Sequence, residues 1–107
     1  FHSRKIRITI IKVTCLADEN FIEAYGDSIE MSLIQKNGQD NDIDLYVSGD
    51  YNSTTVTQDG NYNTANIIQS GPEPVTVDIL QTGDNFSTTV NLYCTTPNGC
   101  SVTVTQY

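Results

Sequence analysis

Gln58-Asp59-Gly60 and Gln69-Ser70-Gly71 place the same glutamine-x-glycine step eleven residues apart, and Gln81-Thr82-Gly83 repeats it twelve residues later. Gln35-Lys36-Asn37-Gly38 is a fourth copy carrying one extra residue. Outward from this stretch, the glycines fall at 26, 38, 49, 60, 71, 83 and 99. Glycine tolerates positive φ and tight reversals, so evenly spaced glycines imply evenly spaced turns. Repetition at a fixed period within one chain implies a stack of similar units.

Between the turns the residues alternate with period two, the strand signal rather than the helical one. With the glutamines taken as inward, one face reads Ile29, Met31, Leu33, Gln35, and the next strand Asn41, Ile43, Leu45, Val47. Asn52, Thr54, Val56, Gln58 follow, then Asn63, Ala65, Ile67, Gln69, then Val75, Val77, Ile79, Gln81. The opposite parity collects Asp42, Asp44, Tyr46, Thr55, Thr57, Thr64, Asn66, Thr76 and Asp78. One parity is apolar plus amide; the other is charged, hydroxylic or aromatic.

An unpaired buried amide costs several kcal/mol, about 2–7 by transfer measurements. The cost disappears if each side chain bonds the same residue one layer above and below, because amides both donate and accept. Gln35, Gln58 and Gln81 are separated by 23 and 23 residues and Gln106 follows after 25; Asn41, Asn63 and Asn85 are separated by 22 and 22. Scattered Asn and Gln ordinarily reflect turn and surface usage, and this periodicity argues against that reading. The stacking unit is therefore two strands and two turns. The expected fold is an all-β solenoid of about four two-strand coils, with inward ladders from Gln35, Gln58, Gln69, Gln81, Gln106, Asn41, Asn52, Asn63 and Asn85, and turns at Gly38, Gly49, Gly60, Gly71 and Gly83.

Pro72 and Pro74 lengthen one turn and remove ladder donors. The strand after Asn85 reads as burying Phe86, Thr88, Val90 and Leu92, one step out of register. Residues 1–27 read as a basic N-terminal strand and a connecting segment, with Ile6, Ile8, Ile10 or Thr9, Ile11, Val13 alternating. Its pairing partner is not named by the pattern, and residues 16–25 lean to strand. Cys94 and Cys100 bracket a Pro-Asn-Gly turn whose ends are expected to meet across a hairpin, with a disulfide between them and an oxidising setting. Cys15 is then free, buried or shared between chains. The spacing matches no zinc pattern, and no metal or cofactor is expected.

The repeat resembles the curlin repeat of bacterial curli subunits, Ser-x5-Gln-x-Gly-x2-Asn-x5-Gln. Gln58, Gly60, Asn63 and Gln69 match its last four positions, with Asn52 where the serine belongs. Gly49, Asn52 and Gln58 match again, with Val47 at the first glutamine. The resemblance covers about residues 28–107; the basic strand, the cysteines and the acidic load depart from the family pattern, making this a divergent copy. It implies a secreted, self-assembling subunit of an extracellular amyloid fibre in a biofilm matrix, which adheres to surfaces and catalyses nothing.

The charge fits no nucleic-acid role. The chain of 107 residues has a formal charge of −8, and only Lys36 of its five basic residues follows Lys12, so all thirteen carboxylates lie in the acidic remainder. Arg4, Lys5, Arg7 and Lys12 read as solvated edge charge or as an arm for an acidic neighbour. An acidic surface repels nucleic acid and anionic membranes. No apolar run reaches a membrane-spanning length, and the start, without Met or a leader-like apolar segment, suggests a mature or trimmed product. The lone His2 and surface rows of acids offer no catalytic constellation. Asp40, Asp42 and Asp44, with Asp50, Asp59 and Asp84 in turns, predict self-repulsion that salt, divalent cations or mild acid relieve. The rival functions are a monomeric β-solenoid binding module, presenting Thr55, Thr57, Thr76, Thr103, Thr105, Tyr46, Tyr62 and Tyr93 to carbohydrate or a surface ligand, and a nucleator or cap of a related fibre. The fibre reading expects self-association as the main partnership, with other fibre subunits and matrix polysaccharide beside it.

Overall fold

A computed structural model describes the backbone of residues 6–16 and 18–107 and the side chains from residue 18 onward. The readings placed on the side chains of His2, Arg4, Lys5, Arg7, Lys12 and Cys15 lie outside those described residues. Along the described chain run nine strands: β1 (Ile6–Leu16), β2 (Glu19–Tyr25), β3 (Ile29–Gln39), β4 (Asp42–Ser48), β5 (Ser53–Asp59), β6 (Thr64–Ser70), β7 (Val75–Thr82), β8 (Ser87–Tyr93) and β9 (Cys100–Gln106). Odd strands form a five-stranded sheet in the order β1-β3-β5-β7-β9, and even strands a four-stranded sheet in the order β2-β4-β6-β8. Every pairing is parallel. Parallel neighbours need a long crossover, and here the crossover is the intervening strand of the opposite sheet. The result is a β-solenoid of about four coils.

The inward rows read from the alternation form the core. From Ile29 to Gln81, all twenty residues of those five rows are no more than 2% exposed. Stacking sets like on like: Leu33, Val56 and Ile79 share one register column, and Val104 continues it. Each such aliphatic side chain contributes about 1.5–3 kcal/mol on burial. The basic N-terminal strand has its partner too, because β1 lies on β3 with Ile6, Ile8 and Ile10 opposite Ile29, Met31 and Leu33. Of residues 16–25, Leu16 ends β1 and Glu19–Tyr25 form β2, which supplies the rest of that rung, so the two sheets run without a break across residue 27.

Most corners are four-residue arcs: a glycine, a middle residue, a left-handed residue, then an inward side chain. Gly60-Asn61-Tyr62-Asn63 is one example, with φ 131° at Gly60 and 59° at Tyr62. A Cβ on Gly60 would stand 2.0 Å from the carbonyl oxygen of Gly83 in the next coil, so both conformation and space demand glycine. Gly38 needs glycine for space alone, since a Cβ there would lie 1.8 Å from the Gly60 oxygen. The extra residue of that repeat is absorbed by Asn37, at φ 58°.

Three expectations change. In Gly83-Asp84-Asn85-Phe86, Asn85 takes the left-handed slot at φ 65° and is exposed. Phe86 occupies the inward position that Asn63 holds one coil earlier, because the glycine-to-inward offset stays at three while the coil is one residue longer. Asn85 is therefore a corner residue and not a ladder member. The strand that follows is consequently in register, with Thr88, Val90 and Leu92 opposite Ala65, Ile67 and Gln69. The Cys94–Cys100 disulfide exists, but not across a hairpin. It closes the widened corner between β8 of one sheet and β9 of the other. Pro72 and Pro74 lengthen the corner below it by one residue, and Glu73 N–H donates to the Cys94 carbonyl at 3.3 Å.

Candidate assembly site: the amide columns and the end rungs

The glutamine column is continuous. Gln35 Nε2 donates to Gln58 Oε1 at 2.9 Å, Gln58 Nε2 to Gln81 Oε1 at 3.0 Å, and Gln81 Nε2 to Gln106 Oε1 at 2.9 Å. Each NH2 has a second hydrogen, and that one crosses the coil to the opposite sheet. Its acceptors are the carbonyls of Glu19, Asp42, Thr64 and Ser87, at 3.3, 3.0, 3.0 and 3.5 Å. One side chain thus ties its neighbour along the axis and the two sheets across it. The column has a direction: N–H points toward the β9 end, and Oε1 toward the β1 end.

The asparagines work differently. Asn41 Oδ1 accepts the backbone N–H of Asn63 at 2.9 Å, and Asn63 Oδ1 that of Phe86 at 3.0 Å. Their Nδ2 groups donate to the carbonyls of Gly60 and Gly83, at 2.8 and 2.9 Å. Asn52 Oδ1 accepts from Val75 N–H at 2.8 Å. Since the partner is backbone, the next residue in the column need not be asparagine, which is why Phe86 and Val75 can follow. Gln69 is buried but stacks between Val47 and Leu92, so it has no glutamine neighbour. It accepts from Thr54 Oγ1 across the core and donates to the Val75 carbonyl at 3.2 Å. It is a cross-coil brace and not a ladder member.

Several acceptors escaped the sequence reading. Asp50, Asn61 and Asp84 each follow a corner glycine, and each Oδ1 accepts the N–H of the residue one coil below: Asp27, Gln39 and Asn61, at 2.8, 3.0 and 2.9 Å. The signal was present as a recurring Gly-Asx pair. Thr88 Oγ1 donates to Gln106 Oε1 at 2.7 Å and steadies the last rung. Asp59 accepts from Asn37 Nδ2 at 3.0 Å. The turn carboxylates are thus structural acceptors rather than a free anionic row.

Real charge crowding sits on the outer face of the even sheet, where Glu19 lies beside Asp42 in register. Burial, with Asp44 and Glu19 adding to it, holds the Asp42 carboxyl above the usual carboxylate range. On the same face Tyr25 donates to Glu23 at 3.2 Å, and this bond, with the Glu23 charge, raises the phenol above its ordinary value. Tyr46 is tilted against Tyr25 at 5.9 Å. Beside it lies a shallow groove of about 410 Å3 edged by Phe21, Asp44, Asn66 and Ile68. The threonines and tyrosines named for a binding face lie on different surfaces. Thr55, Thr57, Thr76, Thr103 and Thr105 are outward on the odd sheet, Tyr46 and Tyr93 on the even sheet, and Tyr62 at a corner.

Two parallel sheets joined coil by coil, with polar columns inside and glycine at the corners, define a β-solenoid built from short sequence repeats. Residues 38–71, from the Gly38 corner to the Gly71 corner, match the family model for the curlin associated repeat. No curated protein and no solved structure matches the chain.

Proposed function

We propose that this protein is a structural subunit of an extracellular, curli-like amyloid fibre that grows head to tail. The observation that carries the reading is the polarity of the glutamine column: each amide directs its acceptor toward the β1 end and its donor toward the β9 end, so the stack has one direction along its axis, as a head-to-tail filament requires. A heterologous contact of that kind does not close and makes a filament. The curlin repeat supports the same reading. Adhesion within a biofilm matrix, contact with other fibre subunits and with matrix polysaccharide, and a cell-surface location belong to it, and Cys94–Cys100 suits an oxidising exterior.

Negative-stain microscopy and X-ray fibre diffraction of the purified chain test the proposal. Filaments with a meridional spacing near 4.7–4.8 Å and an equatorial one near 10 Å are expected. Discrete particles at high concentration, at neutral and mildly acidic pH, would refute it.

A further inference from the structure

We infer that Tyr25 and Tyr46 form an oxidative cross-linking site, at which a peroxide-dependent one-electron oxidant joins the two phenol rings and ties one coil covalently to the next. This goes beyond the fibre reading and is independent of it, because both rings belong to one copy.

Strand register sets the pair. On the outer face of the even sheet Glu23 lies opposite Tyr46, and Tyr25 opposite Ser48. Tyr25 and Tyr46 are therefore diagonal neighbours on adjacent strands, a separation that aromatic side chains bridge. Their ring centroids are 5.9 Å apart with the planes inclined at 54°, so the edge of one ring approaches the other. Tyr25 is 51% exposed and Tyr46 39%, which leaves both rings open to an oxidant in solution.

The local chemistry suits the reaction. A phenol gives up an electron more readily when its proton can leave with it. The Tyr25 hydroxyl donates to Glu23 Oε2 at 3.2 Å, within reach of direct proton transfer. Glu23 is also the register partner of Tyr46, so one carboxylate stands beside both phenols. One electron leaves each ring; the Tyr25 proton passes to Glu23 and the Tyr46 proton to water. The two phenoxyl radicals join through a Cε carbon of each ring, and the proton displaced from each carbon returns to the phenolic oxygen. The chain loses two hydrogens in all. Those two electrons and two protons reduce one hydrogen peroxide to two waters, Glu23 returning its proton to solvent.

The other tyrosines are set apart. Tyr93 lies on β8, two strands past β4 in the even sheet, roughly 9–10 Å along the stack. Tyr51 and Tyr62 sit at corners, and the Tyr62 hydroxyl accepts from Gln39 Nε2 at 3.3 Å. Tyr107 follows β9 of the other sheet. A Tyr25–Tyr46 bond holds β2 to β4 as the Cys94–Cys100 bridge holds the corner between β8 and β9, and oxidation makes both ties.

To test the site, dilute chain, at concentrations too low for filaments, is treated with a peroxidase and hydrogen peroxide, and the monomer is isolated. Mass spectrometry is expected to show the loss of two hydrogens and one linked peptide pair holding Tyr25 and Tyr46. The urea midpoint should shift upward, because the closed loop restricts the unfolded chain. Tyr25→Phe and Tyr46→Phe, each checked for folding by circular dichroism, are expected to lose the intramolecular product, whereas Tyr93→Phe keeps it. Glu23→Gln is expected to slow its formation by about tenfold or more. A link through other tyrosines, a product that survives Tyr46→Phe, or links formed only between chains overturns the site. An unchanged rate in Glu23→Gln removes the carboxylate from the reaction. Failure to link leaves the fibre reading standing, and failure to assemble leaves the site standing.

Discussion

Replacing Gln58 by leucine removes the centre of the glutamine column without changing its shape much. Three bonds go: the one received from Gln35, the one given to Gln81 and the one given to the Asp42 carbonyl. Two neighbours are stranded in a core that water does not reach, an N–H of Gln35 and Oε1 of Gln81. Leaving each unsatisfied costs about 1–3 kcal/mol, so about 2–6 together. Burying the leucine returns about 1.5–3 kcal/mol. The net loss is then about 2 kcal/mol, a large share of the roughly 5–15 kcal/mol that holds a domain folded. It corresponds to a fall in Tm of roughly 8–16 °C. Gln81→Leu is expected to cost a similar amount, but the double variant less than the sum. In the double variant the bond between the two glutamines vanishes from both sides, and Gln106 keeps the hydroxyl of Thr88. A coupling of about 1–3 kcal/mol follows. Urea unfolding followed by circular dichroism, at concentrations too low for filaments, measures all three against Thr57→Val on the outer face, expected within about 0.5 kcal/mol of the parent. A Gln58→Leu chain as stable as the parent would show that the column carries no energy, and strictly additive single variants would show that its rungs are not coupled.

Two further outcomes are expected. Gly60→Ala drives a Cβ to 2.0 Å from a backbone oxygen, at φ 131°, and should destabilise by about 3 kcal/mol or more; Gly83→Ala meets only the Phe86 ring, at 3.0 Å, and should cost less in the same unfolding assay. Asp42 binds its proton more tightly folded than unfolded, so its contribution favours the fold in acid and is lost as pH rises from the ordinary carboxylate value through the raised folded one. Asp42→Asn should therefore flatten the stability profile over that acidic window and speed assembly at neutral pH, read by light scattering; an unchanged profile would remove Asp42 from the account.

How far the sequence speaks depends on how far apart the interacting residues are. Period-two alternation is a property of neighbours, so the inward rows from Ile29 to Gln81 could be read directly, and glycine spacing located the corners of Gly49 and Gly60 because a left-handed turn leaves a local mark. The equal steps from Gln35 to Gln58 to Gln81 even gave the column, since identical amides must stack to be satisfied. Asn85 shows the limit. Its 22-residue spacing from Asn63 looked like a further rung, but the coil there is a residue longer, and only the path of the corner decides whether Asn85 or Phe86 turns inward. Gln69 looked like a ladder residue until the opposite sheet placed Thr54 across from it. Alternation on its own therefore settled which side of each strand is wet. Which residue lies above which, how the widened Cys94–Cys100 corner is closed, and which face each threonine and tyrosine joins were decided by tertiary stacking, because those contacts join residues a whole coil or a whole sheet apart, where corner length rather than local preference sets the partner.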